Sequence, residues 1–253
     1  MTNILNYPRL VFIFAFTACW LAALLGGFCR VKLRPLEEDE REDFGVVQAA
    51  ALTLLGLLIG FTFSMATGRY EQRKNYEEAE ANAIGTEYVR ADLLPTTDAA
   101  KVRQLLTNYL DQRVLFYSTR DGQQLRQIST KTGQLQSDLW SAVQAPAVIQ
   151  PTPMLALAVS GMNDVLNSEG YTQAAWWNRI PVAAWSLVTV IAICCNWLIG
   201  YGAHRTTTLL FVVLPLAVSI SFFLIADIDS PRGGLIRVQP QNPVRLSQTL
   251  HGR

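Results

Sequence analysis

The sequence predicts an all-α integral membrane protein in which four transmembrane helices are split two and two by a long helical domain. Three observations predict it. Half of the 253 residues are hydrophobic and only 16% are charged, against about 25% charged in ordinary soluble domains, and the mean hydropathy is +0.20. Four runs are long and apolar enough for a bilayer, which needs about 20 residues per helix. Between the second and third runs the chain shows helical spacing and no strand signal.

The first run, Leu10–Cys29, is uncharged. It is too long for the apolar core of a signal peptide and ends in Arg30, Lys32 and Arg34 rather than in a cleavage site. Pro8 and Arg9 mark its start. Pro35 then breaks the helix, and Glu37 to Asp43 hold six carboxylates and one arginine. That run reads as a solvated connector whose acids favour the N-terminus of the next helix through its dipole.

The second run, Gly45–Tyr70, is uncharged from Gly45 to Gly68. Gly56, Gly60 and Ser64 recur every fourth residue, a small-residue ridge on which another helix can pack closely. Thr53, Leu57 and Phe61 form a second stripe, offset by one residue or about 100°. A pore-lining helix needs two such faces, but any membrane bundle has them too, and periodicity leaves the choice open. No proline follows until Pro95, and only Gly85 interrupts the helix formers, so this helix is expected to run from Gly45 to Leu94. Tyr76, Ala79, Ala83, Val89 and Leu93 lie mostly away from the charges and are expected to face inward.

Pro95 to Asp98 end that helix and are expected to cap the next. Val102, Leu105, Leu106, Tyr109, Leu110 and Leu115 predict an amphipathic helix over 99–119, and Asp121-Gly122 a turn. Residues 123–144 read as a helix anchored by Leu125, Ile128, Leu135, Leu139 and Trp140. Gln144–Pro153, with three prolines, reads as a hinge or loop. Met154–Asn167 is amphipathic again and is expected to end at Ser168-Glu169-Gly170.

Trp176, Trp177 and Arg179 suit the lipid headgroup zone, and Pro181 a helix start. The third span is expected from Ile180 to about Gly200, with Asn196 as an interhelical hydrogen bond. The fourth covers Thr206–Ala226, kinked at Pro215, and ends on Asp227 and Asp229. The tail after Val238 shows no clear periodicity. The expected divisions are residues 8–68 for the first two spans, 69–178 for the helical domain, 179–230 for the last two spans and 231–253 for the tail.

Orientation follows from Lys and Arg. With both termini and the helical domain on one side, that side holds 16 of the 21 basic residues and the two short connections five. The positive-inside bias places termini and domain in the cytoplasm. A net charge of +1 argues against a nucleic-acid partner. Cys19, Cys29, Cys194 and Cys195 show no metal or redox spacing, and two histidines make a histidine metal site improbable. No zinc-protease, nucleophile-elbow, phosphate-loop or dinucleotide pattern is present, so neither an enzyme nor a cofactor is expected.

The residues resemble a known family. Gly60-Phe61, then Arg69-Tyr70 leading into a long polar helix, is similar to the end of the bestrophin pore helix. Met162-Asn163-Asp164 and Trp177-Asn178-Arg179-Ile180-Pro181 resemble the approach to that family's third span. Leu55–Phe61, Glu80–Gly85, Leu93-Leu94-Pro95 and Asp227–Arg237 resemble the bacterial bestrophin-like membrane proteins, a family of unknown function. The resemblance covers about residues 10–240.

The resemblance implies an oligomeric ring, with a pentamer favoured, and a chloride-type anion channel. It would put Thr53, Leu57 and Phe61 on the central axis and leave Gly56, Gly60 and Ser64 for helix packing. A hydrophobic ring can gate by dewetting, and aromatic edges carry partial positive charge that favours anions. The implied partners are the lipid bilayer, further copies of the chain and small permeating ions. Animal bestrophins bind calcium through a dense acidic cluster after the fourth span. Here only Asp227 and Asp229 stand there, thin for a cation that takes six to eight oxygens, and they are the only candidate metal ligands. They read better as a helix end bonded to the turn at Ser230-Pro231, or paired with Arg232 and Arg237. The alternative function is a non-conducting scaffold or sensor acting through its extramembrane helices.

Overall fold

The computed structural model describes residues 4–32, 37, 40–203 and 210–252. Among them the chain is helical, without strands: α1 (Pro8–Lys32), α2 (Glu40–Arg90), α3 (Thr96–Ser118), α4 (Gly122–Ile149), α5 (Pro153–Trp177), α6 (Val182–Gly202), α7 (Leu210–Asp229) and α8 (Gln241–His251). Four stretches, within α1, α2, Pro153–Gly202 and α7, are long and apolar enough to cross a membrane. The chain divides into two compact units, one of residues 1–70 and 179–237, the other of residues 71–178 and 238–253.

In the first unit, α1, α6 and α7 pack around a core of Val11, Cys19, Trp185, Val188, Ala192, Cys195, Val218, Phe222 and Ile225. Two glycines let backbones meet there. A Cβ on Gly26 would collide with the Trp197 carbonyl, and one on Gly200 with the Ala23 carbonyl. Ala22 and Ala23 beside them are buried, so α1 and α6 cross on a small-residue seam. Asn196 is fully buried, but it donates to the Ala192 carbonyl of its own helix at 2.8 Å instead of bridging to a neighbour. A helical carbonyl one turn back has a second lone pair to offer, and an asparagine side chain takes that local bond. The expected start of the fourth span at Thr206 lies outside the described residues. Acids occupy the first turn of α2, at Glu40, Glu42 and Asp43, as its dipole favours.

α2 is one continuous helix of 51 residues, about 75 Å long at 1.5 Å per residue. Gly85 does not interrupt it. It lies under Leu246 of α8, whose Cδ1 would be 3.3 Å from a Cβ there.

The second unit comprises residues 71–90 of α2 with α3, α4, α5 and α8. Ile84, Val102, Leu106, Tyr109, Leu110, Leu139, Val143, Ala158, Met162 and Val165 fill its core. Several expectations are corrected here. The expected inward face of α2 holds only in part: Ala83 packs on the core and Tyr76 is half-buried against Tyr171, but Ala79 is exposed and Val89 is 61% exposed, while Arg73, Glu77, Glu80, Ile84, Glu87 and Ala91 are buried. Those positions step by three and four along one helical face, so the buried stripe is largely charged, and sorting by polarity missed it. The helix α4 runs through Pro146 to Ile149, where a loop was expected. The loop shrinks to the residues around Pro151, because the Gln150 N–H continues the helical bonding to the Pro146 carbonyl at 2.9 Å. The helix α5 passes Ser168 and Gly170 and ends at Trp177. Trp176 is 6% exposed and packs on Phe116 at 5.1 Å and on Tyr117 at 5.7 Å, so it is core, and only Trp177 is open. The Pro95–Asp98 segment starts α3 without a side-chain cap. The tail forms α8, where no periodicity was legible.

Candidate functional site

The candidate site is the membrane segment of α2. Its own chain covers little of it. The residues it does bury, Leu55, Thr62 and Ala66, with Leu52 and Ile59 half-buried, face the core of the first unit. Helical geometry places the stripe of Thr53, Leu57 and Phe61 about 160° around from that face. Leu57 is 52% and Phe61 61% exposed, and Thr53 is exposed as well. The Thr53 hydroxyl donates to the Ala49 carbonyl at 2.9 Å, which spends its donor on the helix. Leu57 and Phe61 therefore offer apolar surface on the side opposite the helix's own packing face, with Thr53 exposed on the same stripe.

Gly56, Gly60 and Ser64 sit between the two faces. A Cβ on either glycine would meet nothing within 4 Å, and Ser64 is exposed. Among the described residues, nothing packs against the two glycines of this ridge. The closest backbone approach falls instead at Gly26 and Gly200, which sequence reasoning missed. Its signal was the pair of small dipeptides, Ala22-Ala23 and Gly26-Gly27, one turn apart on α1.

The acids at the end of α7 are committed to the protein's own groups. Asp229, 1% exposed, accepts from Arg179 Nε at 2.9 Å and from the Ile180 N–H at 3.2 Å. Arg179 also donates to Asn6 Oδ1 at 2.7 Å and to the Leu5 carbonyl at 3.4 Å. Asp227, 2% exposed, accepts from the Leu235 and Ile236 N–H groups at 2.7 and 2.8 Å. Ser230 Oγ accepts from the Gly233 N–H at 3.2 Å. Cβ atoms on Gly233 and Gly234 would strike the Asn6 and Asp227 carbonyls. The Asp227–Arg237 stretch is thus a folded-back knot. Asp227 is held by two backbone amides of the stretch that follows it, and Asp229 by Arg179 and the Ile180 amide. Among the described residues, no group of three or more His, Cys, Asp or Glu side chains is placed to hold a metal.

The second unit carries a buried polar cluster around Glu80, which is fully buried. Its carboxylate pairs with Arg113 and accepts from Tyr117 Oη at 2.7 Å and Thr172 Oγ1 at 3.2 Å. The Arg113 guanidinium stacks 4.4 Å from the Phe116 ring centre, a cation–π arrangement, and Glu169 stands 3.7 Å from it. Burial, the largest single influence, would lower the Arg113 pKa, but the Glu80 charge and hydrogen bond together with Tyr109 and Tyr117 outweigh it and hold Arg113 above its usual range. Burial, then the Glu80 charge, raises Tyr117. Glu77 accepts from Asn242 through its backbone N–H at 3.0 Å and its amide at 2.8 Å, tying down the first turn of α8. Burial raises Glu77 against those bonds, which lower it. Sequence reading placed the charges of this stretch of α2 away from the inward face.

The Bestrophin-like domain model matches residues 15–242. Solved structures of a bacterial bestrophin homolog from Klebsiella pneumoniae are similar in fold. The form solved by zinc phasing has a TM-score of 0.65 at 14% identity, over 95% of this chain and 97% of that one. A variant substituted at a tryptophan has a TM-score of 0.66 at 13% identity, over 96% and 97% of the two chains. Among curated protein sequences none matches.

Proposed function

Because this chain belongs to the Bestrophin-like family, we propose that it assembles into a homo-oligomeric ring and conducts small anions along an axis lined by Thr53, Leu57 and Phe61. The observation that carries the reading is the outward stripe of α2, which lies opposite the face that α2 packs on its own chain. A helix placed so presents Leu57 and Phe61 to the symmetry axis when identical copies surround that axis. Gly56, Gly60 and Ser64 lie between the two faces, where a neighbouring copy would approach, and small residues there let backbones pack closely.

Repeated around an axis, Leu57 and Phe61 make stacked apolar rings. Such a neck excludes water when narrow and conducts when it widens. Phe61 edges turned toward the axis favour an anion over a cation. The Thr53 ring is smaller and less constricting. A pentamer is the expected assembly, with termini and the second unit in the cytoplasm.

Planar-bilayer recording on purified protein tests the reading. Wild type is expected to give anion-carried currents, and Leu57→Ala with Phe61→Ala to raise them by widening the neck. Silence in both, or a monomeric or dimeric state in mild detergent, supports instead a scaffold acting through its extramembrane helices.

A further inference from the structure

Glu87 sits on the inward face of α2 in the second unit, 0% exposed. Neither carboxyl oxygen has a hydrogen-bond partner, which is rare and costly for a buried acid. The seat is shaped for it. A Cβ on Gly161 of α5 would collide with Glu87 Oε2 and with Arg90 Nη1, so the carboxyl and the guanidinium of α2 meet the bare backbone of α5 at one point. Gly161 is itself buried, next to Met162 and one turn from Ala158 and Val165 of the core.

We propose that Glu87 is a proton-operated latch: seated in the slot that Gly161 opens on α5, its neutral carboxyl holds α2 against α5, and its ionisation loosens that contact. The charged groups that act on it are Arg90 on its own helix and Asp164 on α5. Burial disfavours the charged form most strongly and pushes the Glu87 pKa from 4.5 up to about 8. Arg90 works to lower it and Asp164 to raise it. The carboxyl is therefore neutral through the acid and neutral range. The sign follows by linkage. The folded state holds the proton that the unfolded state releases, so stability is full below about 4.5 and falls as pH rises through about 8. The latch lies wholly within the second unit and does not depend on conduction.

The test uses the full-length protein in lipid nanodiscs. Infrared spectra follow the carbonyl band of neutral carboxyl groups against pH, with Glu87→Gln subtracted to isolate this residue from Glu77. Hydrogen exchange follows residues 80–90 and 155–165, corrected for intrinsic rates. The expected result is a Glu87 band lost with a midpoint near 8. Exchange in both segments should rise about tenfold in step with that loss, as expected when a local contact opens. Glu87→Gln should abolish the step. Asp164→Asn should lower the midpoint and Arg90→Gln raise it, opposite shifts that a purely structural role would not produce. A Glu87 midpoint near 4.5, or the same exchange step in Glu87→Gln, overturns the proposal.

Discussion

Arg179 and Asp229 stand 2.9 Å apart, Nε to Oδ2, across 50 residues of sequence. The pair joins Arg179, three positions ahead of the start of α6, to the last residue of α7, and Arg179 extends the tie to Asn6 ahead of α1. One ion pair thus gathers the ends of three helices of the first unit.

Arg179→Met should remove a counter-charge from the buried Asp229 carboxylate. The expected loss is about 3 kcal/mol, the lower end for breaking such a pair, since Arg179 is itself 25% exposed. Thermal melting in detergent measures it, and adding Asp229→Leu should recover part of the loss. An unchanged melting temperature in Arg179→Met would mean that the tie does not hold these ends.

Tyr117→Phe removes one hydroxyl bond, 2.7 Å, to the buried Glu80 carboxylate while keeping the ring on Phe116 and Trp176. A bond to a charged group is worth about 1.5–3 kcal/mol, and the loss should fall in that range. Arg113→Leu strands the Glu80 charge and should cost more, about 3–5 kcal/mol. Denaturant titration of the second unit's tryptophan signal would read both. Equal losses for the two variants would contradict the central place given to the Glu80–Arg113 pair.

Gly26→Ala and Gly200→Ala each put a Cβ onto a carbonyl oxygen of the facing helix. Overpacking of this kind typically costs about 1–3 kcal/mol, and the two should not add, because either one already parts the same seam. Gly56→Ala should be far milder for a single chain, since open space lies there. If it instead breaks an assembled oligomer while leaving the chain folded, the ridge lies between copies.

Local chemistry made much of this fold legible. The four spans follow from uninterrupted apolar runs, and α2 was traceable to Arg90 because nothing in Arg69–Leu94 terminates a helix. The charged stripe of Arg73, Glu77, Glu80 and Glu87 was not, because an acid reads as solvated until its partner is known. Arg113 is 33 positions from Glu80, and Asn242 is 165 from Glu77. Pro146 and Gly170 misled in the opposite sense, because packing on both sides of a helix carries it through a weak local signal. The site divides in the same way. The stripe of Thr53, Leu57 and Phe61 was visible as periodicity. That it lies opposite Leu55 and Ala66 depended on knowing which face α2 buries.

The most direct test of the account is cysteine accessibility along α2, in a background where Cys19, Cys29, Cys194 and Cys195 are replaced by serine. Phe61→Cys lies on the proposed axis, and Phe63→Cys, 42% exposed in the wild-type side chain, lies about 120° around the helix from the stripe's centre. A charged thiol reagent added during planar-bilayer recording should change or abolish the current through Phe61→Cys and leave Phe63→Cys untouched. Equal modification of the two currents, or block at Phe63→Cys alone, would contradict the placement of Thr53, Leu57 and Phe61 on a conducting axis.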